Sequence, residues 1–432
     1  MSNLNKSRSK QGMGIMIKSK VLLMAGILCT VNVTDSSASD LPGRNDKEPA
    51  WVKDIPIEKV IEWRRHIHQY PELSFHETAT SAYVDSILKS FGNIEVIRPT
   101  PTSVVGILKG GKAGSTVAFR ADMDALPVTE ETGLPFASVV EGVMHACGHD
   151  LHTAMLLGTA ATLSSMQSQV RGTVYFIFQH AEEQIPGGSQ PIIDSGVLND
   201  VEAFFGMHVF PYKEAGAVGV LPVGAASTAA DAFYLTIQGK GSHGSTPNMA
   251  IDPIVTGAEI VTALQTIVSR NVPPGEMAVI SVGKFQSGTV SNVIPDKAQL
   301  DGTVRSITDA TRELLAERIK TIIDNIAKAN GATYTLDYQT GYPAIENDGG
   351  LTSLARASAT EILGSEKVFD APRMTASEDF AKYREIAPIC FLTLGTGPGF
   401  MNHHPKFSPD ESSMINGIKA EVQIILDYPD KR

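Results

Sequence analysis

The sequence predicts an α/β fold: a sheet with helices on both faces, interrupted by a self-contained βαββαβ unit of the ferredoxin-like kind. Two patterns and the chain length lead there. Short β-rich runs alternate with helical stretches along most of the chain, as expected of a helix-covered sheet. Between Ala230 and Gly341 the pattern changes to strand, helix, two strands, helix, strand, and then the alternation resumes. At 432 residues the chain exceeds the roughly 250–300 residues that a single core serves, so more than one domain is expected. The expected division is a leader over residues 1–39, a larger domain in two pieces (40–229 and 342–432), and an insert over 230–341.

In chain order, Lys6, Arg8, Lys10, Lys18 and Lys20 precede an apolar run from Val21 to Val33, followed by Ser36, Ser37, Ala38 and Ser39. A basic, then apolar, then small-residue order predicts a signal peptide cut near Ala38 or Ser39, and hence an exported protein, periplasmic or secreted. The apolar run falls short of the ~20 residues that span a bilayer, so no membrane anchor is expected after cleavage. Bulky Ile27 and Leu28 before Cys29 argue against a lipidation site. From Pro56 to Tyr70, Ile57, Val60, Ile61 and Ile67 fall on one helical face with Glu58 in the first turn. Strands are predicted at Val104 to Leu108, Thr116 to Phe119, Thr173 to Phe178, Ala203 to Val209 and Ile389 to Leu394. Within the insert, strands are predicted at Phe233 to Gln238, Ala278 to Phe285, Ala298 to Ser306 and Thr333 to Tyr338. Helices there are predicted at Pro253 to Arg270 and Asp309 to Asn330.

A net charge of −11 excludes nucleic acid as a partner, because phosphate binding requires a basic surface. Of three cysteines, Cys29 leaves with the leader. Cys147 and Cys390 then form one possible pair, too few for a disulfide framework.

The string His145-Ala-Cys147-Gly-His149-Asp150 sets a thiol and an imidazole around a permissive glycine, and both are ligands for zinc-like ions. Taken alone, the pair reads sooner as a buried structural cysteine beside a solvated histidine. Glu182 and Glu183 follow the apolar run Val174 to Phe178. If that segment stays extended, consecutive side chains point oppositely, one glutamate to metal and the other to substrate. A solvated acidic loop is the competing reading. His208 ends a strand and His403 lies in a Gly/Pro-rich loop past one, where open α/β sheets gather their ligands. Cys147, His149, Glu183, His208 and His403 are too many for one tetrahedral ion and suit two ions sharing a bridging group.

The strings RADMDALP (from Arg120), MHACGHDLHTA (from Met144), FQHAEE (from Phe178), GMHVFP (from Gly206), GKGSHGSTPNMAIDPI (from Gly239), SNVIPD (from Ser291), SEDF (from Ser377) and HHPKF (from His403) together resemble one family. It is the amidohydrolase branch of the aminoacylase and carboxypeptidase metallopeptidases, which includes hippurate hydrolases, N-acyl-amino-acid amidohydrolases and plant auxin-conjugate hydrolases. The resemblance runs from about Trp63 to the C-terminus. It implies a di-metal catalytic domain bearing a lid that also dimerises, and so a homodimer. The implied metal ligands are Cys147, His149, Glu183, His208 and His403, the last chosen over His404 by its place in HHP. Glu182 takes the general-base position, and His243 that of a lid histidine that polarises the scissile carbonyl, in the partner subunit's site. Asn292 and Arg305 would bind the substrate carboxylate, Arg305 through its planar fork. Asp122 is either a ligand or a residue behind the ligands; Asp124 orients a ligand by hydrogen bonding. His66, His68 and His152 are assigned structural or supporting places. The chain departs from the family at His180, where proline is usual, and at Gln184-Ile185, which replaces a glycine-rich turn.

The reaction so implied is hydrolysis of an N-acyl amino acid to a carboxylic acid and an amino acid. Two divalent ions (zinc, manganese, cobalt or nickel) acidify the attacking water and Glu182 accepts its proton. Competing readings are a Cys147 nucleophile with His149 as base, a non-catalytic binding protein, and the same chemistry on dipeptides or aminobenzoyl conjugates.

Overall fold

The computed structural model describes residues 48–428. The expected leader, with its cleavage site and Cys29, lies outside the described residues. Among them no helix is long and apolar enough to cross a membrane.

Eight α-helices are described: α1 (Ile57–Gln69), α2 (Thr78–Ser90), α3 (His149–Ser165), α4 (Ser189–Asp194), α5 (Pro253–Arg270), α6 (Asp309–Ala329), α7 (Gly349–Leu363) and α8 (Met414–Asp427). The larger sheet is mixed. Its centre is β4 (Arg171–Gln179), β3 (Lys112–Asp122), β5 (Ala203–Phe210) and β16 (Ile389–Gly395), paired in parallel in that order. β2 (Val104–Lys109) joins β4 antiparallel, and β1 (Glu95–Ile97) joins β2. Beyond β16 come short strands the sequence did not reveal: β6 (Val218–Val220), β7 (Gly224–Ala225), β14 (Glu346–Asn347) and β15 (Val368–Asp370). They run two or three residues, too few for a period-2 pattern to register.

Strand residues alternate between two cores, as the pleat requires. Val104, Leu108, Val117, Phe119, Val174, Phe176 and Phe205 face α1, α2, α3, α7 and α8. Val105, Ile107, Ala118, Tyr175, Ile177, Phe204 and Phe391 face the other way, towards α4 and a 3-10 helix over Asp379–Glu385. Helices do cover both faces, but five long ones lie on one side and only short turns on the other.

The second sheet has the order β10 (Ala278–Ser287), β12 (Lys297–Ser306), β8 (Ala229–Gln238), β13 (Thr333–Thr340), every neighbour antiparallel. With α5 and α6 this is the expected βαββαβ order. Phe233, Leu235 and Ile237 alternate into a separate core with Ile260, Leu264 and Ile267 of α5 and Leu315, Ile319 and Ile323 of α6. Asp252 caps α5, accepting from Ile254 N, and Thr308 caps α6, accepting from Thr311 N. A small ribbon, β9 (Ser242–His243) with β11 (Val293–Ile294), stands beside it.

Glu421 of α8 is fully buried, and the Thr159 hydroxyl donates to it at 2.6 Å. Burial pushes its carboxyl up to about 8. The folded state therefore binds more protons than the unfolded chain between pH ~4.5 and ~8, and stability falls as pH rises through that window. Glu421→Gln removes this titration while keeping an acceptor for Thr159. It is expected to stabilise the fold at pH 8 by on the order of 3 kcal/mol and to change it little at pH 4.5, as read from denaturant melts at the two pH values.

Candidate metal centre and active site

The parallel strands β3, β4, β5 and β16 all end at the same edge of the sheet, and the chemistry gathers there. β3 ends on Asp122, with Asp124 two residues on; β4 ends on Gln179, just before Glu182 and Glu183; His208 is near the end of β5; His403 lies in the loop after β16. Cys147 and His149 arrive from the start of α3. Gly148 between them has φ +102, and a Cβ there would stand 2.2 Å from Val209 Cγ2, so only glycine lets the thiol and imidazole enter side by side.

All five expected ligands come together. Cys147, His149 and His208 have potential donor atoms within 4.8 Å of one another; so do Cys147, Glu183 and His403, and so do His149, Glu182 and Glu183. Cys147 Sγ lies 3.3 Å from His208 Nε2, and His403 Nε2 lies 3.1 Å from Glu183 Oε1.

The tautomers follow from the partners. His208 Nδ1 is 2.9 Å from the Val209 carbonyl and His149 Nδ1 is 2.8 Å from the Asp124 carbonyl. A carbonyl only accepts, so both Nδ1 atoms carry a proton and Nε2 is the nitrogen that each ring turns to the cluster. His149 Nε2 is buried without a hydrogen-bond partner. The charge balance points the same way. Asp122, Asp124, Glu182, Glu378 and Asp379 are buried and Glu183 is nearly so, and the guanidinium paired with members of this group is that of Arg120. Burying that excess of carboxylate is costly unless cations offset it. The donor set fits divalent ions.

Each local shift reflects the same crowding. Burial opposes charge on His149, yet Asp122 and Asp124 outweigh it and raise the imidazole to about 10. Burial, then Glu378 and Glu183, push Glu182 well up. Burial, then Glu183, Glu182 and Asp122, push the Cys147 thiol well above its usual range. A cysteine nucleophile needs the opposite shift, and the imidazole nitrogen beside Cys147 belongs to His208 rather than to the His149 that reading requires. Cys147 and Cys390 are both free, so the one possible disulfide is not formed.

The two glutamates are oriented by a different device from the one the sequence suggested. β4 stops at Gln179, and Ala181 takes φ +52, so a left-handed bend and not an extended pleat sets their directions, and their carboxylates still come within 4.8 Å of each other beside His149. Glu182 sits with Glu378 and Asp379, Glu183 with Cys147 and His403. Among the described residues the non-glycine positions with positive φ are Phe75, Ala181 and His403, and each lies at or beside this centre, where strained backbone tends to concentrate.

Asp122 accepts from Arg120 Nη1 at 2.6 Å and His152 Nδ1 at 2.6 Å and stands 3.7 Å from His149 Nε2, and donor atoms of Asp122, His149 and His152 also lie within 4.8 Å of one another. His152 Nε2 accepts from Val209 N, which leaves no free lone pair on that ring. Asp124 orients His149 with its main-chain carbonyl, while its carboxylate accepts from Glu182 N and Glu183 N. His68 is buried between Asp150 and Glu130, and His66 stacks on Tyr83. His180 is buried edge-on to Phe75.

A cavity of about 410 Å³ opens over Cys147, Glu182, Glu183, His208 and His403. Its apolar wall includes Ile185, Phe210, Tyr342 and Met374, and Arg305 of β12 enters from the second sheet. Arg305 Nη1 donates to Thr303 Oγ1 and to the Val304 carbonyl, and no carboxylate pairs with it among the described residues. His243 and Asn292 do not line this cavity. They lie on and beside the small ribbon, where His243 pairs with Val293, Gly244 N donates to the Asn292 carbonyl at 2.8 Å, and His243 is exposed.

Sequence reading gave no role to Arg120, Glu378 or Asp379, although RADMDALP and SEDF contain them. Arg120 Nη2 reaches Glu378 Oε1 at 3.0 Å and Asp379 Oδ1 at 2.9 Å, so one buried cation joins the two motifs. Burial raises the Glu378 carboxyl to about 8 despite Arg120. Asn402, whose amide holds the Cys147 and Val209 carbonyls at 2.7 and 3.2 Å, carried no motif signal beyond its loop.

A mixed α/β sheet that collects thiol, imidazole and carboxylate ligands at its carboxyl edge, under a cavity with a glutamate of its own, defines a metal-dependent hydrolase. Comparison with known proteins specifies which kind. The chain belongs to peptidase family M20/M25/M40, whose model matches residues 118–427. It is 47% identical over 292 residues to an N-acyl-L-amino acid amidohydrolase of Geobacillus stearothermophilus, covering 67% of this chain and 79% of that one. It is 40% identical over 372 residues to an N-acetylcysteine deacetylase of Bacillus subtilis, covering 85% and 97%. Among solved structures, a dinuclear metal-binding peptidase of the M20 family from Bacillus subtilis superposes with a TM-score of 0.76 at 36% identity, covering 87% of this chain and 99% of that one.

Proposed function

We propose that this protein hydrolyses the amide bond of N-acyl amino acids, releasing a carboxylic acid and a free amino acid. The observation that carries the reading is the shared cavity: Glu182 and the ligand cluster on one side, and across an apolar wall an Arg305 without a carboxylate partner. An acylated amino acid has the matching parts, an amide to cut, an apolar acyl group and a free carboxylate. The names of the relatives at 40–47% identity support the same substrate class.

Cys147, His149, Glu183, His208 and His403 would hold two divalent ions, with Cys147 common to two of the donor groups. When bound, such ions polarise the amide carbonyl and acidify water. Glu182 accepts the proton of the attacking water as the C–O bond forms. It returns that proton to the amide nitrogen as the C–N bond breaks, so the base is regenerated. Arg305 holds the carboxylate and so fixes which amide faces Glu182. His243 and Asn292 are assigned to the site of a partner subunit. Exposed Ile254, Val255, Phe285, Val290 and Val293 on and beside the second sheet support self-association there.

Arg305→Ala is expected to raise KM for N-acetyl and N-benzoyl amino acids about 10–100-fold, the cost of one charge-assisted hydrogen bond. Amides lacking the carboxylate should be hydrolysed equally by both proteins. An unchanged KM would remove Arg305 from substrate recognition. In a panel that includes dipeptides and aminobenzoyl conjugates, preference for either group would move the substrate assignment while leaving the chemistry in place.

A further inference from the structure

Two buried carboxylates, on separate segments, hold the three backbone N–H groups that run through the glutamate pair. Asp124 takes those of Glu182 (3.1 Å) and Glu183 (3.0 Å), and Glu77 Oε1 takes that of Ala181 at 2.7 Å. The same Glu77 oxygen accepts from Phe75 N at 3.1 Å. Phe75 (φ +68) and Ala181 (φ +52) are both in the left-handed region, unfavourable for a residue bearing a Cβ and requiring support from neighbours. A single oxygen thus ties together two strained positions on segments that are 104 residues apart at their contact.

Helix capping does not explain Glu77. It stands at the N-cap of α2, yet its side chain makes no capping bond. Glu72 does that work, accepting from Ala79 N, Thr80 N and the Thr80 hydroxyl at 2.8–3.1 Å. Glu77 is left fully buried, its Oε1 on the bend before the glutamates and its Oε2 without a partner.

We propose that Glu77 is a positioning residue for this centre: it locks Ala181 in the left-handed bend that aims Glu182 into the cavity and Glu183 at Cys147 and His403. The proposal rests on the reading of Glu182 as base and Glu183 as ligand. Because both hydrogen bonds use Oε1 and Oε2 has none, glutamine can reproduce the arrangement with its amide oxygen. Aspartate, one methylene shorter, draws the acceptor away from Ala181 while keeping the carboxylate. Burial raises the Glu77 carboxyl to about 7, so the neutral side chain is tolerated near neutrality.

The test compares purified, metal-loaded Glu77→Gln, Glu77→Asp and Glu77→Ala with Glu182→Gln, using N-acetyl amino acids. The readouts are kcat and KM, metal affinity by competition with a chelating dye, and thermal melting. Asp and Ala are expected to lower kcat about 10–100-fold with KM within about threefold, and to loosen metal binding; Gln is expected to restore both. A folded Glu77→Ala protein with native kcat and metal affinity would overturn the proposal, and so would a Gln variant as impaired as the Asp variant. Should the Ala variant fail to fold, the order of Gln and Asp decides. Loss of turnover in Glu182→Gln with native behaviour in Glu77→Asp would sink the positioning role alone; full turnover in Glu182→Gln would sink the base assignment and the positioning role with it.

Discussion

Glu182→Gln is expected to lower kcat by about 10²–10⁴-fold, the usual contribution of a positioned general base, with little change in KM. At roughly 1.4 kcal/mol per factor of ten this is about 3–5 kcal/mol of barrier. The amide fills the same volume, and the main-chain contacts of this residue, its N–H to Asp124 and its carbonyl to the Tyr342 hydroxyl at 3.0 Å, do not involve the carboxyl group. What the variant loses is the ability to accept and return a proton. Bound metal should therefore stay at the native ratio by elemental analysis while turnover falls. Equal losses of metal and turnover would instead make Glu182 a ligand, a placement its proximity to His149 and Glu183 allows geometrically.

Cys147→Ser should have the next largest effect, and through metal. Cys147 belongs to two of the donor groups, so losing its sulfur weakens both at once. A serine hydroxyl is a harder donor with no accessible anion at neutral pH, and it leaves a buried cluster of carboxylates with less cation to offset them. Metal affinity is expected to fall by at least about 100-fold, the upper end of what removing a supporting partner costs. Turnover should fall at stoichiometric metal and recover in part with excess metal. A nucleophilic cysteine would give a loss that no added metal reverses.

Much of this site could be read from sequence because its residues sit where strands end. His208 follows a long apolar run, and the Cys147-Gly148-His149 string needs its glycine, so type and position agreed before any geometry was available. The βαββαβ insert was legible for a similar reason. Phe233, Leu235 and Ile237 keep strict alternation, and Asp252 and Thr308 mark helix starts. Other features lie in relations between distant segments. That Arg120 binds Glu378 and Asp379 across more than 250 residues is written in no local pattern. The bend at Ala181 depends on Glu77, whose place before a helix suggests a cap and nothing more. Of the small strands, β6 and β14 are fixed by register against β16, as Leu392 opposite Val220 shows, and β15 and β7 by register against those two. The exposed place of His243 on the ribbon follows from β9 pairing with β11, not from the GKGSH string.

The most direct test of the central claim is hydrolysis of a panel of N-acetyl, N-benzoyl and indole-acetyl amino acids, together with dipeptides, before chelation, after chelation and after divalent metal is returned. The proposed function predicts turnover of N-acyl amino acids that disappears with the chelator, returns with metal and is insensitive to thiol alkylation of the metal-loaded protein. Turnover that survives full removal of metal, or that alkylation of the loaded protein abolishes, would contradict it.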